Sequence, residues 1–494
     1  MAKDWIDCCI SKHVKCAQRL EVPLPSRVLD LGSSGDTLDL RLLTNADIHS
    51  QYATLSHCWG NSQPLKLTTA TYESFQQMIT FSSLPKTFQD AVIATRALGL
   101  RYLWIDSLCI LQDSKQDWEE QCSMMVRVYK DSAVTIAGPQ ASDCHSGFLN
   151  NRLLNDEISL TVSDDEDSDR IAISIQDPAD MEWMIRPELQ SPLAKRAWVL
   201  QERLLSPRTI YFGSTRMFFE CITNNQDESC HFPTQEGGGG FVKKVAVAQL
   251  KSKLECFQHW EILVRDYSSK SLTYMTDRLP ALSALASDFH RATGADYLAG
   301  LWRQDLPVGL TWHIPQHHFE NTSPMPSNSE YIAPSWSWAS KSYKLGELNS
   351  IEHGKKREFD GDCEILEAEV KSAGLDPFGA VASGHLKISG RICSAVVQNE
   401  NSNPYVSSLG SSSLNTRLAS YSPDEGLMVR GSKLSVLLLY LGRFRNGNTV
   451  ALSIKRTGHI PTTYVRVGLA HTTYLSSELK EMYENVERTT VTII

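Results

Sequence analysis

Apolar residues recur along the first half of the chain in two alternating rhythms. Tyr52–Cys58 is a short, mostly apolar run closed by Trp59-Gly60, which predicts a strand. Lys86–Leu98 carries Phe88, Ala91, Val92, Thr95 and Leu98 at helical spacing and stops at Gly99, a helix C-terminus signal. Tyr102–Leu111 (YLWIDSLCIL) reads as a buried strand running into a turn. Asp113–Tyr129 places Trp118, Cys122, Met125 and Tyr129 at i, i+4, i+7 and i+11, one face of a helix. Ala133–Ala137 is again a short strand, closed by Gly138-Pro139. Strand, helix, strand, helix, strand predicts a parallel, doubly wound α/β sheet.

Around this core the pattern changes. Residues 1–50 read as an irregular lead-in, with a short helix near Trp5–Arg19 and a break at Pro23 and Pro25. Residues 140–190 read as an insertion whose acidic run, Ser163–Asp169, is a solvated loop. Order resumes over 194–222 with a short helix, a break at Pro207 and strands. Gly237–Gly240 is a flexible joint. Residues 245–305 are largely helical by pattern, and 330–345 and 364–494 read as mostly strand. The Ser/Asn-rich stretch Asn401–Ser422 reads as a mobile loop. The expected organisation is a lead-in (1–50), an α/β domain (51–222), a mainly helical extension (241–345) and a β-rich C-terminal region (346–494).

Composition narrows the class. With 494 residues, 41% hydrophobic and 21% charged, the chain has apolar mass for two or three globular domains, so wholesale disorder is excluded. No apolar stretch approaches the roughly 20 residues needed to span a bilayer. The opening MAKDWIDCCISKHVK lacks the apolar core of a secretory signal, and 12 dispersed cysteines then read as free thiols in a reducing, cytoplasmic setting. The net charge of −9 and the absence of a basic stripe argue against nucleic acid as a partner. Five acids of the insertion run (Asp164, Asp165, Glu166, Asp167, Asp169) carry much of that charge; without them the rest sits near −4.

In an open parallel sheet, ligands bind beyond the carboxyl ends of the strands. That rule selects Ser56-His57-Cys58-Trp59-Gly60, then Asp106-Ser107 with Cys109, then the loop after Ala137. A Cys-His pair (Cys58 or Cys109 with His57) or a Ser56-His57-Asp106 set is conceivable, but neighbouring strand residues face opposite ways. In RAWVLQER, the polar groups Arg196, Gln201, Glu202 and Arg203 surround Trp198, either as a paired network or as an anion or ribose contact. No Gly-rich phosphate loop is present. Cys9, His13 and Cys16, with Cys8 adjacent, have the spacing of metal ligands on one helix face. A structural zinc needs four ligands, and no fourth is near in sequence, so an apolar helix face is the expectation and no metal is assigned.

Several motifs stand in a fixed order: Pro25-Ser26-Arg27 with Leu29-Asp30, YATLSHCWG (52–60), LPKTFQDAV (84–92), GLRYLWIDSLCILQD (99–113), DW (117–118), MMVRVYKDSAVTIAG (124–138) and RAWVLQERLLSPRTIYFG (196–213). The series resembles the heterokaryon incompatibility (HET) domain of filamentous fungi, over about residues 50–205. DYLAGLW (296–302) and APSWSWAS (333–340) resemble the C-terminal extension common in such proteins.

The resemblance implies vegetative incompatibility, non-self recognition and programmed cell death, with protein partners in that signalling and room for self-association. It also implies a TIR/flavodoxin-like sheet, since HET domains are thought to be distant relatives of TIR domains, some of which cleave NAD. The catalytic Glu of those enzymes lies three residues after a Trp on a helix. Here that position is Gln121, after Trp118, and a neutral amide cannot stabilise an oxocarbenium-like centre. Glu120 is adjacent but rotated by about 100° around the helix. The catalytic candidates are therefore Ser56, Asp106, Glu120 and Glu202. The ligand-binding candidates are Trp59, Gly60, Asp106, Trp118, Gln121, Arg196 and Gln201. No resident cofactor is implied, and an NAD-type nucleotide is the ligand or substrate to consider. Alternatives to the incompatibility role are a nucleotide-cleaving enzyme and a non-catalytic accessory or scaffold protein of a biosynthetic gene cluster.

Overall fold

A computed structural model describes residues 1–16, 21–32, 38–44, 47–60, 65–150, 157–161, 170–174, 191–214, 216–228, 252–314, 330–341, 348, 358–400, 403–408, 418–424, 431–458, 462–472 and 482–494. The acidic run of the insertion and the four consecutive glycines lie outside these residues. The chain divides into two compact units, Met1–Ala246 and Val247–Ile494. Among the described residues no helix is long and apolar enough to cross a membrane, and every cysteine is free of a disulfide.

The first unit is a mixed α/β structure. Its elements are α1 (Ala2–Lys12), β1 (Arg27–Asp30), β2 (Arg41–Thr44), β3 (Tyr52–Ser56), α2 (Lys86–Ala97), β4 (Tyr102–Trp104) and the short α3 (Asp106–Cys109). They continue with α4 (Lys115–Lys130), β5 (Val134–Ala137), β6 (Glu157–Thr161), β7 (Arg170–Ser174), α5 (Ala197–Leu205), β8 (Arg208–Phe212), β9 (Met217–Cys221) and β10 (Asn225–Asp227). Eight strands form one sheet in the order β10-β9-β8-β5-β3-β4-β1-β2. The middle four, β8, β5, β3 and β4, are parallel. Antiparallel strands close both edges. The expected parallel sheet is thus the centre of a mixed one. The lead-in is not irregular throughout either: it supplies α1 and, in β1 and β2, one edge of the sheet. Within the insertion, β6 and β7 pair as an antiparallel hairpin.

Burial explains the strand pattern. All five residues of β3 and all four of β5 are buried, as expected where helices cover both faces of a parallel sheet. The helix α4 starts where Ser114 accepts a hydrogen bond from the Asp117 amide, an N-cap. It buries Cys122, Met125 and Tyr129, while Trp118 is half-buried with its ring edge-on to Trp198 at 6.3 Å.

Motif acids outside the site act as clamps. Asp117 accepts from both Arg27 (2.6–2.7 Å) and the Leu111 amide (2.8 Å), tying α4 to β1. Asp30 is held by Arg101 and Arg41, chiefly through the Arg101 hydrogen bonds, which draw its carboxyl down to about 2. Asp90 is buried and accepts from Lys86 and from the Phe148 and Leu149 amides.

The second unit starts with two helices, α6 (Lys253–Ser268) and α7 (Pro280–Thr293), followed by short strands β11 (Tyr297–Leu298) and β12 (Leu301–Trp302). A pocket lies among Trp260, Trp302, Trp312 and Trp338. Residues 330–341, expected as strand, form turns and a 3-10 turn at Trp338–Ser340, because Ser337 caps that turn by accepting the Ala339 amide.

Nine strands then make one sheet: β13 (Phe359–Gly361), β14 (Glu364–Ser372), β15 (Val381–Glu400), β16 (Asn403–Ser408), β17 (Ala419–Pro423), β18 (Lys433–Phe444), β19 (Thr449–Arg456), β20 (Thr463–His471) and β21 (Arg488–Ile493). The pairings run β18-β19-β20-β17-β16-β15 and return to β18, so the six strands close a ring. Ala395, Val397, Val406, Leu438, Ala451 and Tyr421 fill its core. The stretch Asn401–Ser422 is therefore not simply a loop. Its ends are strands β16 and β17, paired with each other because Val406 and Ala419 belong to that core.

Candidate functional site

The parallel strands β3 and β4 end at Ser56 and Trp104, and the chain beyond each carries polar side chains. Ser56 Oγ donates to Glu202 Oε2 at 2.5 Å, fully buried. Glu202 sits on α5, and the Tyr129 hydroxyl of α4 also hydrogen-bonds its carboxyl. Three elements distant in sequence thus meet at one carboxyl group. Burial pushes that carboxyl up to about 7, against the pull of the Arg196 charge and of the Ser56 and Tyr129 hydrogen bonds; Asp106 adds a smaller upward push. Near neutral pH the group is divided between acid and base, so it can give or take a proton.

Toward the surface lies a second pair. Trp59 Nε1 donates to Asp106 Oδ2 at 2.9 Å, and the Ser107 amide donates to Asp106 Oδ1 at 2.7 Å. Trp59 is half-buried, and Lys66 Nζ lies 5.6 Å from the centre of its ring. Gly60 adopts φ +71°, and a Cβ there would come within 2.3 Å of Asp143 Cβ. A glycine is required by both the left-handed backbone and the close approach. Arg196, the residue preceding α5, donates to the His57 carbonyl. Its positive charge acts on Glu202, His57 and Cys58.

Strand alternation separates Ser56 from His57. His57 packs its ring edge-on to Phe88 at 5.0 Å, and its Nδ1 is 3.9 Å from Asp106 Oδ1, too long for a hydrogen bond. Burial draws His57 down to about 4, so the imidazole is neutral near pH 7. Burial also raises the Cys58 thiol, and pushes Cys109 up to about 12. Neither the Ser-His-Asp nor the Cys-His arrangement forms.

Of the candidates, Ser56, Trp59, Gly60, Asp106, Arg196 and Glu202 are brought to the carboxyl ends of the parallel strands. Glu120 is exposed and paired with Gln116 at 3.0 Å, so the helical rotation that separates it from Gln121 leaves it in solvent. Gln121 is buried and accepts from Ser26 at 3.1 Å. Gln201 is buried, with its amide nitrogen 3.9 Å from Met125 Sδ and its Oε1 without a hydrogen bond among the described residues. Trp118 meets Trp198. Tyr129 is the site residue that periodicity hides, because a helix-face tyrosine reads as core until its hydroxyl has a partner.

Residues 52–202 match the family model described as heterokaryon incompatibility protein (HET), so the chain contains a HET domain. At the level of the family this implies a role in heterokaryon incompatibility. No curated protein and no solved structure matches.

Proposed function

We propose that this chain, which carries a HET domain over residues 52–202, is an effector of vegetative incompatibility that brings about cell death on non-self contact. The observation that carries the reading is that Ser56, Asp106, Arg196 and Glu202 gather at the carboxyl ends of the parallel strands, where open α/β sheets place ligands. Strand β3 supplies Ser56, the start of α3 after β4 supplies Asp106, and α5 with its N-cap supplies Glu202 and Arg196, so the ordered motifs belong to one local arrangement. Expression of the full chain in a filamentous fungal host is expected to arrest growth. Unchanged growth with strong accumulation of the protein contradicts the reading.

The raised carboxyl of Glu202 favours a second reading, that the domain cleaves an NAD-type nucleotide. The middle strands lie in the spatial order second, first, third, fourth, the order of a flavodoxin-like sheet, which supports the kinship with TIR domains. With Gln121 neutral and Glu120 in solvent, Glu202 and Asp106 are the candidate carboxyls left at the strand ends, and Glu202 is the one whose proton affinity is raised. Nicotinamide release from NAD by concentrated protein, lost in Glu202→Gln, is expected on this reading; no release at high protein concentration contradicts it.

A further inference from the structure

The N-terminal spacing of Cys9, His13 and Cys16 lacks a fourth ligand in sequence, and the fold supplies one. Cys221, the last residue of β9, comes to the same place. One ligand atom from each of Cys9, His13, Cys16 and Cys221 lies within 4.8 Å of all the others. We propose that these four residues form a structural zinc site that clasps the N-terminal helix to the sheet edge.

The local geometry is that of a ligand set. Cys9 lies in the last turn of α1, His13 is its C-cap, and Cys16 closes the 3-10 turn Val14–Cys16. The backbone reverses between them through His13 N to Cys9 O (3.0 Å) and Cys16 N to His13 O (2.9 Å). Cys221 begins a tight turn in which the Asn224 amide donates to its own Sγ at 3.1 Å. Its Sγ is 3.4 Å from His13 Nδ1. A tetrahedral centre with Zn–S near 2.3 Å and Zn–N near 2.0 Å puts sulfur and nitrogen about 3.5 Å apart and two sulfurs about 3.8 Å apart. The three cysteines are 0–2% exposed and His13 is half-buried, so no ligand position is left open to substrate.

The surroundings suit metal-bound thiolates. Besides the Asn224 amide, Arg208 Nε donates to Cys9 Sγ at 3.2 Å, and Thr223 Oγ1 is 3.2 Å from Cys16 Sγ. Arg208 is fully buried and its guanidinium also donates to the carbonyls of Cys16 and Ala133. Three thiolates, one neutral imidazole and Zn²⁺ carry a net charge of −1, which the adjacent Arg208 balances. Donors of this kind around the ligands fix their orientation.

The site also answers a question of stability. The helix α1 has 11 residues and buries only Ile6 and Cys9. A helix of that length is marginal alone, and its ring contact with the sheet is Trp5 on Phe219 at 6.1 Å. A metal bridging its end to β9 replaces the missing apolar face, since metal-binding free energy becomes folding free energy.

The full chain, purified reduced and without chelators, is expected to contain about one zinc per molecule by plasma mass spectrometry. Exchange with Co²⁺ should give the absorption of a tetrahedral cobalt-thiolate centre. Cys221→Ser and His13→Ala should lower zinc affinity at least tenfold, whereas Cys8→Ser should retain full occupancy. If the ligand variants do not fold, the cobalt spectrum of the unaltered chain decides. Zinc-free protein from zinc-supplemented expression, absence of cobalt-thiolate absorption, or a disulfide joining two of these cysteines in that preparation would overturn the assignment.

Discussion

Ser56 and Glu202, 146 positions apart in the chain, are joined by a buried hydrogen bond of 2.5 Å from the hydroxyl to the carboxyl. The contact ties the end of a central strand to α5. Its strength depends on the state of a carboxyl whose burial opposes ionisation.

That opposition gives a pH dependence with a defined sign. The folded value of Glu202, about 7, lies above its ordinary 4.5. Between these values the folded state keeps a proton that the unfolded chain has lost. Stability from this group is therefore full below about pH 4.5, falls as pH rises toward about 7 and stays low above it. The difference is at most about 3 kcal/mol. Glu202→Gln removes this slope, so urea unfolding at pH 5 and pH 8 should show a smaller loss in the variant than in the parent. Equal losses would contradict the assignment.

The bond from Trp59 to Asp106 is half exposed, so its contribution is at the low end for a charged acceptor. A double-mutant cycle with Trp59→Phe and Asp106→Asn should give a coupling of about 1 kcal/mol. Additive effects would mean that the bond does not form in solution.

Gly60→Ala brings two costs together, a left-handed backbone and a collision with Asp143. Stability should fall by about 2–4 kcal/mol, read as a lower denaturation midpoint. A change below about 0.5 kcal/mol would show that the Asp143 loop yields freely.

In the second unit, Arg466 is fully buried, donates to Asp424 and to the Leu310 and Trp312 carbonyls, and lies 3.3 Å from the Trp312 ring centre. Arg466→Met removes the guanidinium from Asp424, which keeps Lys341 at 3.5 Å, and takes a donor from the Leu310 and Trp312 carbonyls. The expected loss is about 3–5 kcal/mol in equilibrium unfolding. A loss under about 1 kcal/mol would show that the network is dispensable.

Legibility in the sequence followed the range of the interactions. Local periodicity exposed α4 through Cys122, Met125 and Tyr129, and the apolar runs exposed β3 and β5. The edge strands Arg27–Asp30 and Arg41–Thr44 were hidden because four residues carry too little alternation to stand out from a loop. Ser56, Asp106, Arg196 and Glu202 were nameable because they end or follow the elements that periodicity located. Tyr129 and Cys221 were not, since their contacts depend on partners brought near only when the first unit's sheet and helices assemble. The return of β15 to β18 is a pairing across about forty residues, which no local pattern encodes.

The most direct test of the effector reading is inducible expression of the full chain in a filamentous fungal host, beside Glu202→Gln at matched protein level. The parent chain should stop hyphal growth and admit a death-reporting dye, and the variant should grow as the uninduced culture does. Growth of the parent indistinguishable from the uninduced control, or equal killing by Glu202→Gln, would contradict the account.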